Sequence, residues 1–179
     1  HSLQMIRTSD TCDRRLGENN TVLLTVTSNP TLERTLFVPR LEIGAVHRTS
    51  SVRLAAGGKG LNVARSAGIL GHKSLSTAPL AGHSGRLVAE LASQEGLDAR
   101  WYWLGAGETR ASILLLHEGA DTTVINEAGS KITPEDWSGW AEHVCRLARE
   151  ASAVALSSSF PPGVEPQEVV ALCRALANQ

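Results

Sequence analysis

A chain of 179 residues with 42% apolar and 20% charged side chains has the composition of one globular domain, or most of one, which excludes a wholly disordered protein. Its 17 Lys and Arg against 18 Asp and Glu leave no basic surplus for a nucleic-acid backbone or an anionic membrane, so neither is expected as a partner. No apolar run approaches the roughly 20 residues that cross a bilayer, no signal peptide opens the chain, and three cysteines without C-x-x-C spacing argue against a disulfide framework or a zinc site, so the expectation is a soluble, cytoplasmic protein.

Residues 1–20 are polar and show neither a helical nor a strand period; a disordered extension or a cloning remnant is expected there, with the folded unit over 21–179. Residues 21–27 (TVLLTVT) form a short β-branched run of the kind buried on both faces, stopped by the turn signal Asn29-Pro30. Segments 35–38 and 46–54 mix polar and apolar residues, as in a small, partly solvated sheet. The glycine-rich turn 57–60 (GGKG) opens a helix over 61–70, and Gly71 closes it. A strand over 74–80 follows, then a helix capped by Ser84, with Leu87, Val88 and Leu91 on one face and Gly96 at its end. Segments 99–104, 111–117 and 122–126 are strand-like and could extend either sheet.

The clearest helix start is Thr133-Pro134-Glu135-Asp136: an N-cap, a proline at the first helical position and acids in the first turn. Its stripe of Trp137, Trp140, Ala141, Val144, Leu147 and Ala148 marks both tryptophans as packing residues. Residues 153–156 form a buried-type strand, 157–163 a loop and 166–177 a last helix carrying Cys173, which, like Cys145, falls on an apolar face as a small hydrophobe. Strands and helices alternating at this spacing predict an α/β fold with a parallel sheet covered on both faces.

A glycine-rich turn running into a helix N-terminus is an anion site, because unpaired N–H groups and the positive end of the helix dipole point outward there. Residues 57–60 fit, and Lys59 adds a full charge. Gly60 follows the lysine where a nucleotide P-loop has Ser or Thr, and no G-x-G-x-x-G follows the first strand. The six histidines have no metal-ligand spacing, so no metal site is expected within the chain.

Five motifs stand in order: TVTSNPTLERTLFV (25–38), GGKGLNVA (57–64), GETRASILLL (107–116), INEAG (125–129) and SSSFPPG (157–163). In these the chain resembles the 1-phosphofructokinase and tagatose-6-phosphate kinase branch of the ribokinase-like carbohydrate kinases, over the N-terminal half of their length. The resemblance implies a three-layer α/β/α sandwich with a small β-sheet lid from segments near 35–54 and 99–126, and a homodimer formed through the lid strands.

It further implies transfer of the ATP γ-phosphoryl group, with Mg²⁺, to a hydroxyl of fructose 1-phosphate, fructose 6-phosphate or tagatose 6-phosphate. Glu33, where the family has Asp, corresponds to the acid that binds sugar hydroxyls. Gly58 and Lys59 correspond to the cradle of the sugar's phosphate, Asn62 to a hydroxyl ligand and Arg110 to a second phosphate ligand. Ser159 corresponds to a further substrate contact, and Glu127 to an acid of the Mg²⁺ and phosphate region. Ser158 replaces the family's middle glycine. The family's catalytic base, an Asp in a G-A-G-D motif, and its nucleotide-binding strands have no counterpart in this sequence; no catalytic residue is expected in it. Either the chain is part of a longer kinase, or it is a truncated, non-catalytic module that binds a phosphorylated hexose.

Overall fold

The computed structural model describes the backbone of residues 4–7 and residues 22–118 and 121–179 in full. The main sheet forms where the sequence is most apolar and β-branched. Strand β1 (Gln4–Arg7) lies at one edge and β2 (Leu23–Val26) in the interior. The chain then leaves for a second sheet through β3 (Thr31–Val38) and β4 (Val52–Gly57), and returns by helix α1 (Lys59–Ile69) to β5 (Ser74–Thr77), beside β2. A short β6 (Pro79–Leu80) leads into α2 (Gly82–Gln94) and β7 (Tyr102–Trp103). Strands β8 (Ala111–His117) and β9 (Thr123–Asn126) complete the second sheet. Helix α3 (Pro134–Ala148), β10 (Ala153–Leu156) and α4 (Pro166–Ala177) follow.

The main sheet has the order β1-β10-β2-β5. Strand β2 runs parallel to both neighbours, with Leu23 opposite Ala153 on one side and Ser74 on the other. Leu24, Val26 and Val154 are fully buried, the mark of strands covered on both faces. On one face they meet α3 and α4, through Trp137, Trp140, Val144, Leu172 and Leu176. Helix α1 packs on β2 and β5 from the other face, and its Leu61 joins Ala56, Leu80 and Val88 in a second core under α2. These are the three expected layers.

Trp140 is completely buried, stacked on His143 at 6.0 Å and tilted against Tyr102, while Trp137 sets its edge on Phe160 at 6.1 Å. Both tryptophans are therefore core residues. Thr133 caps α3 as its sequence requires, its hydroxyl accepting from Asp136 N at 3.1 Å. The first turn of α1 is pressed against the end of β2: a Cβ on Gly60 would lie 2.7 Å from the Val26 carbonyl, so an alanine has no room there. Burial pushes the Cys145 and Cys173 thiols up, as expected of small hydrophobes rather than reactive groups.

The second sheet has the order β4-β3-β8-β9. Strand β3 is antiparallel to β4, Glu33 opposite Ala55, and parallel to β8, Glu33 opposite Ser112. Four expectations are corrected here. Strand β3 begins at Thr31, directly after Pro30, rather than at residue 35, because Leu32 N donates to Arg110 O at 2.8 Å and draws the chain into the sheet at once. Strand β4 runs over Val52–Gly57 rather than 46–54; the chain turns at Gly44 (φ 84°), Val46 stands in solvent, and the small residues before the helix carry the pairing.

The 99–104 segment pairs on the main-sheet side and not with the second sheet, which takes only β8 and β9 from that region. Ser76 N donates to Asp98 O and Arg100 N to Ser76 O, while β7 pairs in parallel with β6. Finally, part of 1–20 is ordered: β1 pairs antiparallel with β10, Gln4 opposite Leu156 through Arg7 opposite Ala153. An open strand edge offers backbone groups that any extended segment can use, with no side-chain period required. The rest of that segment, Cys12 included, lies outside the described residues. Among the described residues, no helix is long and apolar enough to cross a membrane.

Candidate functional site

The sequence motifs converge beyond the C-terminal ends of β2 and β10, where ligands sit in open α/β sheets. Asn29 is the hub. Its N–H donates to Ser158 Oγ at 3.0 Å, and its side-chain amide to Ser159 Oγ at 3.3 Å and Phe160 O at 3.4 Å. Its carbonyl accepts from Arg110 Nη2 at 3.4 Å. The turn after β2, the loop after β10 and the entry to β8 are thus tied at one residue. Asn29 was absent from the sequence-derived site because Asn-Pro reads only as turn punctuation; its partners lie 81 to 131 positions away. Ser158, in place of the family's glycine, supplies one of these ties, and Ser159 is exposed beside it.

Arg110 is half-buried at the start of β8. Its Nη1 donates to Glu127 O at 3.2 Å, and its Nε, buried, has no partner among the described residues. Burial pulls its pKa below the ordinary value against the opposing charge of Glu127. With long bonds and an unused N–H, the guanidinium keeps donor capacity for an anion. Arg110 and Asn29 border a small cavity of about 30 Å³ with Ser28, Thr109 and Ser130.

Glu127 has a different place. Its Oε2 accepts from Ala111 N at 2.7 Å and its N–H donates to Ala111 O, clamping the end of β9 to the start of β8. Among the described residues, no three His, Cys, Asp or Glu gather as metal ligands.

A second group faces a cleft of about 190 Å³ at the edge of β4, where Glu33, Arg53, Asn62, Arg65 and Glu95 meet. Glu33 stands on β3 rather than on the turn before it, since the strand starts two residues earlier. Lys59, the first residue of α1, is exposed, its side chain makes no hydrogen bond or ion pair among the described residues, and it lines neither cleft. Gly58 is the N-cap of α1 at φ 135°, and a Cβ there would lie 2.5 Å from Thr27 Cγ2, so the contact between helix and strand already requires glycine. The structure therefore brings Glu33 together with Asn62, and Arg110 with Ser159 through Asn29, and places Lys59 alone on the uncapped end of α1.

Helix α2 is capped differently from the sequence expectation. Its N-cap is Ala81, and Ser84 lies in the first turn with its N–H donating to Glu108 Oε2 at 2.9 Å, beside His83 N donating to Oε1 at 3.0 Å. A carboxylate 24 residues away satisfies the donors a local serine was expected to serve. Those backbone bonds, Ser84's first, hold the Glu108 carboxyl down at about 2 from an ordinary 4.5. A depressed acid stabilises the fold above its unfolded pKa and loses that contribution as pH falls through the folded value. Thermal melts should show wild-type stability falling between pH 4.5 and 2 more steeply than Glu108→Gln; parallel acid limbs would remove this role.

The residues 27–179 match the model of the pfkB family carbohydrate kinases. Among solved structures, a Thermotoga maritima protein titled "Possible 1-phosphofructokinase" is similar at a TM-score of 0.79 and 29% identity, over 87% of this chain and 50% of that one. Escherichia coli phosphofructokinase-2, solved in complex with fructose-6-phosphate, shares the fold at a TM-score of 0.78 and 20% identity, over 89% and 52%. A ribokinase from Cryptococcus neoformans, solved with ADP, is similar at a TM-score of 0.50 and 16% identity, over 65% and 38%. This chain spans about half the length of the first two. The fold is ribokinase-like, and with a family model covering residues 27–179 of it, the chain belongs to the pfkB family of carbohydrate kinases.

Proposed function

We propose that the chain carries the sugar-phosphate site of an ATP-dependent phosphosugar kinase, acting on fructose 1-phosphate, fructose 6-phosphate or tagatose 6-phosphate. The observation that supports it most is that Glu33 and Asn62 line one cleft at the edge of β4, while Asn29 joins Arg110 and Ser159 beyond the ends of β2 and β10 of a pfkB-family fold. Lys59 and Arg110 take the phosphate, Lys59 as a mobile point charge and Arg110 as a planar fork. Glu33, Asn62 and Ser159 take the hydroxyls, and Asn29 holds the loops in register. Catalysis of phosphoryl transfer is mostly positioning and charge stabilisation, and positioning is what these residues supply. In this proposal these residues hold the sugar phosphate alone, and the nucleotide, Mg²⁺ and the base are met by other groups. Calorimetric titration with fructose 1-phosphate and with fructose tests the proposal; equal affinity for both would refute it.

The second sheet serves in this proposal as the lid and as the dimer surface. Strand β9 is exposed along its whole length, with Val124 49% and Ile125 55% accessible, and it forms an open sheet edge. A second copy of the sheet covers both. Light scattering at tens of micromolar should return a homodimer, and a monomer there would count against lid pairing.

A further inference from the structure

Arg65, on the inner side of α1, spends all three guanidinium nitrogens on three different elements. Its Nη2 donates to Ala56 O in β4 at 2.6 Å, its Nε to Glu95 Oε2 at the end of α2 at 2.6 Å, and its Nη1 to Asn62 Oδ1 at 2.7 Å. A planar fork meets the carbonyl, the carboxylate and the amide from three separate nitrogens with fixed N–H directions, whereas an ammonium would have to reach all three from one nitrogen. The last of these bonds has a chemical consequence. A guanidinium donates and never accepts, so the atom of Asn62 facing it must be the oxygen. The amide is oriented by its neighbour, and its NH₂, which makes no hydrogen bond among the described residues, is left as the group Asn62 can offer the cleft it shares with Glu33.

The charges around this cleft complete the picture. Arg53 and Arg65 are balanced by Glu33 and Glu95, two cations against two anions. A balanced cleft gives no advantage to a phosphate, and Glu33 opposes one. A neutral hydroxyl fits: it accepts a hydrogen bond from a donor-only NH₂ and donates its proton to an acceptor-only carboxylate, and such a chain is polarised in one direction.

We infer that Arg65 is a positioning residue that fixes Asn62 as a hydrogen-bond donor, so that the cleft holds a sugar hydroxyl between Asn62 Nδ2 and Glu33 and leaves the phosphate to Lys59 and Arg110. This rests on the sugar-phosphate function proposed above. Asn62 then cannot be replaced by its acceptor-only isostere, and Arg65 influences binding only through Asn62.

Fructose 1-phosphate titrated into the 179-residue chain tests both statements. Asn62→Asp should lose affinity as fully as Asn62→Ala, on the order of tenfold or more, and wild-type affinity in Asn62→Asp overturns the inference. Arg65→Lys, which keeps the charge, should weaken binding in the wild-type background and add nothing in the Asn62→Ala background; equal losses in both would show a merely structural role. Glu95→Gln, which loosens the guanidinium without touching Asn62, serves in the same cycle should Arg65→Lys fail to fold. If the wild-type chain binds no hexose phosphate, the proposed function fails, and NMR of the Asn62 side-chain NH₂ decides the inference alone. Its signals should differ from those of an unstructured asparagine and move towards them in Arg65→Lys or Glu95→Gln; signals unmoved by both overturn it.

Discussion

The 179-residue chain, supplied with ATP, Mg²⁺ and fructose 1-phosphate, should release no ADP above its sugar-free background. Transfer of a phosphoryl group needs a base at the accepting hydroxyl, a cradle for the γ-phosphate and a bound nucleotide. The family resemblance puts the base in a G-A-G-D motif, and no G-x-G-D follows Gly163 in this sequence. The carboxylates nearest the site have other tasks. Glu127 is bonded to Ala111 N, Glu108 caps α2, and Glu33 lies in the charge-balanced cleft with Asn62. An assay coupled to ADP release measures the rate directly. Sugar-dependent release that disappears in Glu33→Gln or Glu127→Gln would place the catalytic apparatus among the residues described, contrary to this account.

What the sequence made legible was local chemistry. The cap, proline and acids of Thr133–Asp136 fix the start of α3, because each acts within one turn. The apolar stripe correctly assigned Trp137 and Trp140 to the core, and short buried-type runs gave β2 and β10. The site's supporting contacts were not legible, because they join residues far apart. Ser84 looks like a cap until Glu108, distant in sequence, takes its N–H. Asn29 looks like a turn residue until Ser158, Ser159 and Arg110 reach it. Segment 99–104 reads equally well for either sheet, and only the backbone bonds to Ser76 decide between them. Residue types and spacing pick out the polar and charged groups; tertiary hydrogen bonds determine which way each one faces.

Selectivity for phosphate should rest on Lys59 and Arg110, whose positive charges a free sugar cannot use. The Lys59 side chain makes no hydrogen bond or ion pair among the described residues, so in the proposed site Lys59→Ala should remove a phosphate contact at little structural cost. Arg110 also holds Asn29 and Glu127 carbonyls, so Arg110→Ala should lose the phosphate contact and some order in both loops. One charge-assisted bond is worth about 1.5–3 kcal/mol, which is roughly tenfold to a hundredfold in affinity. Asn62→Ala, by contrast, should weaken fructose and fructose 1-phosphate alike. Calorimetry of fructose 1-phosphate and of fructose against wild type, Lys59→Ala and Arg110→Ala is the most direct test. The account predicts tighter binding of the phosphorylated sugar by the wild type, with that preference reduced about tenfold or more in each variant; wild-type affinity for fructose 1-phosphate in both would contradict it.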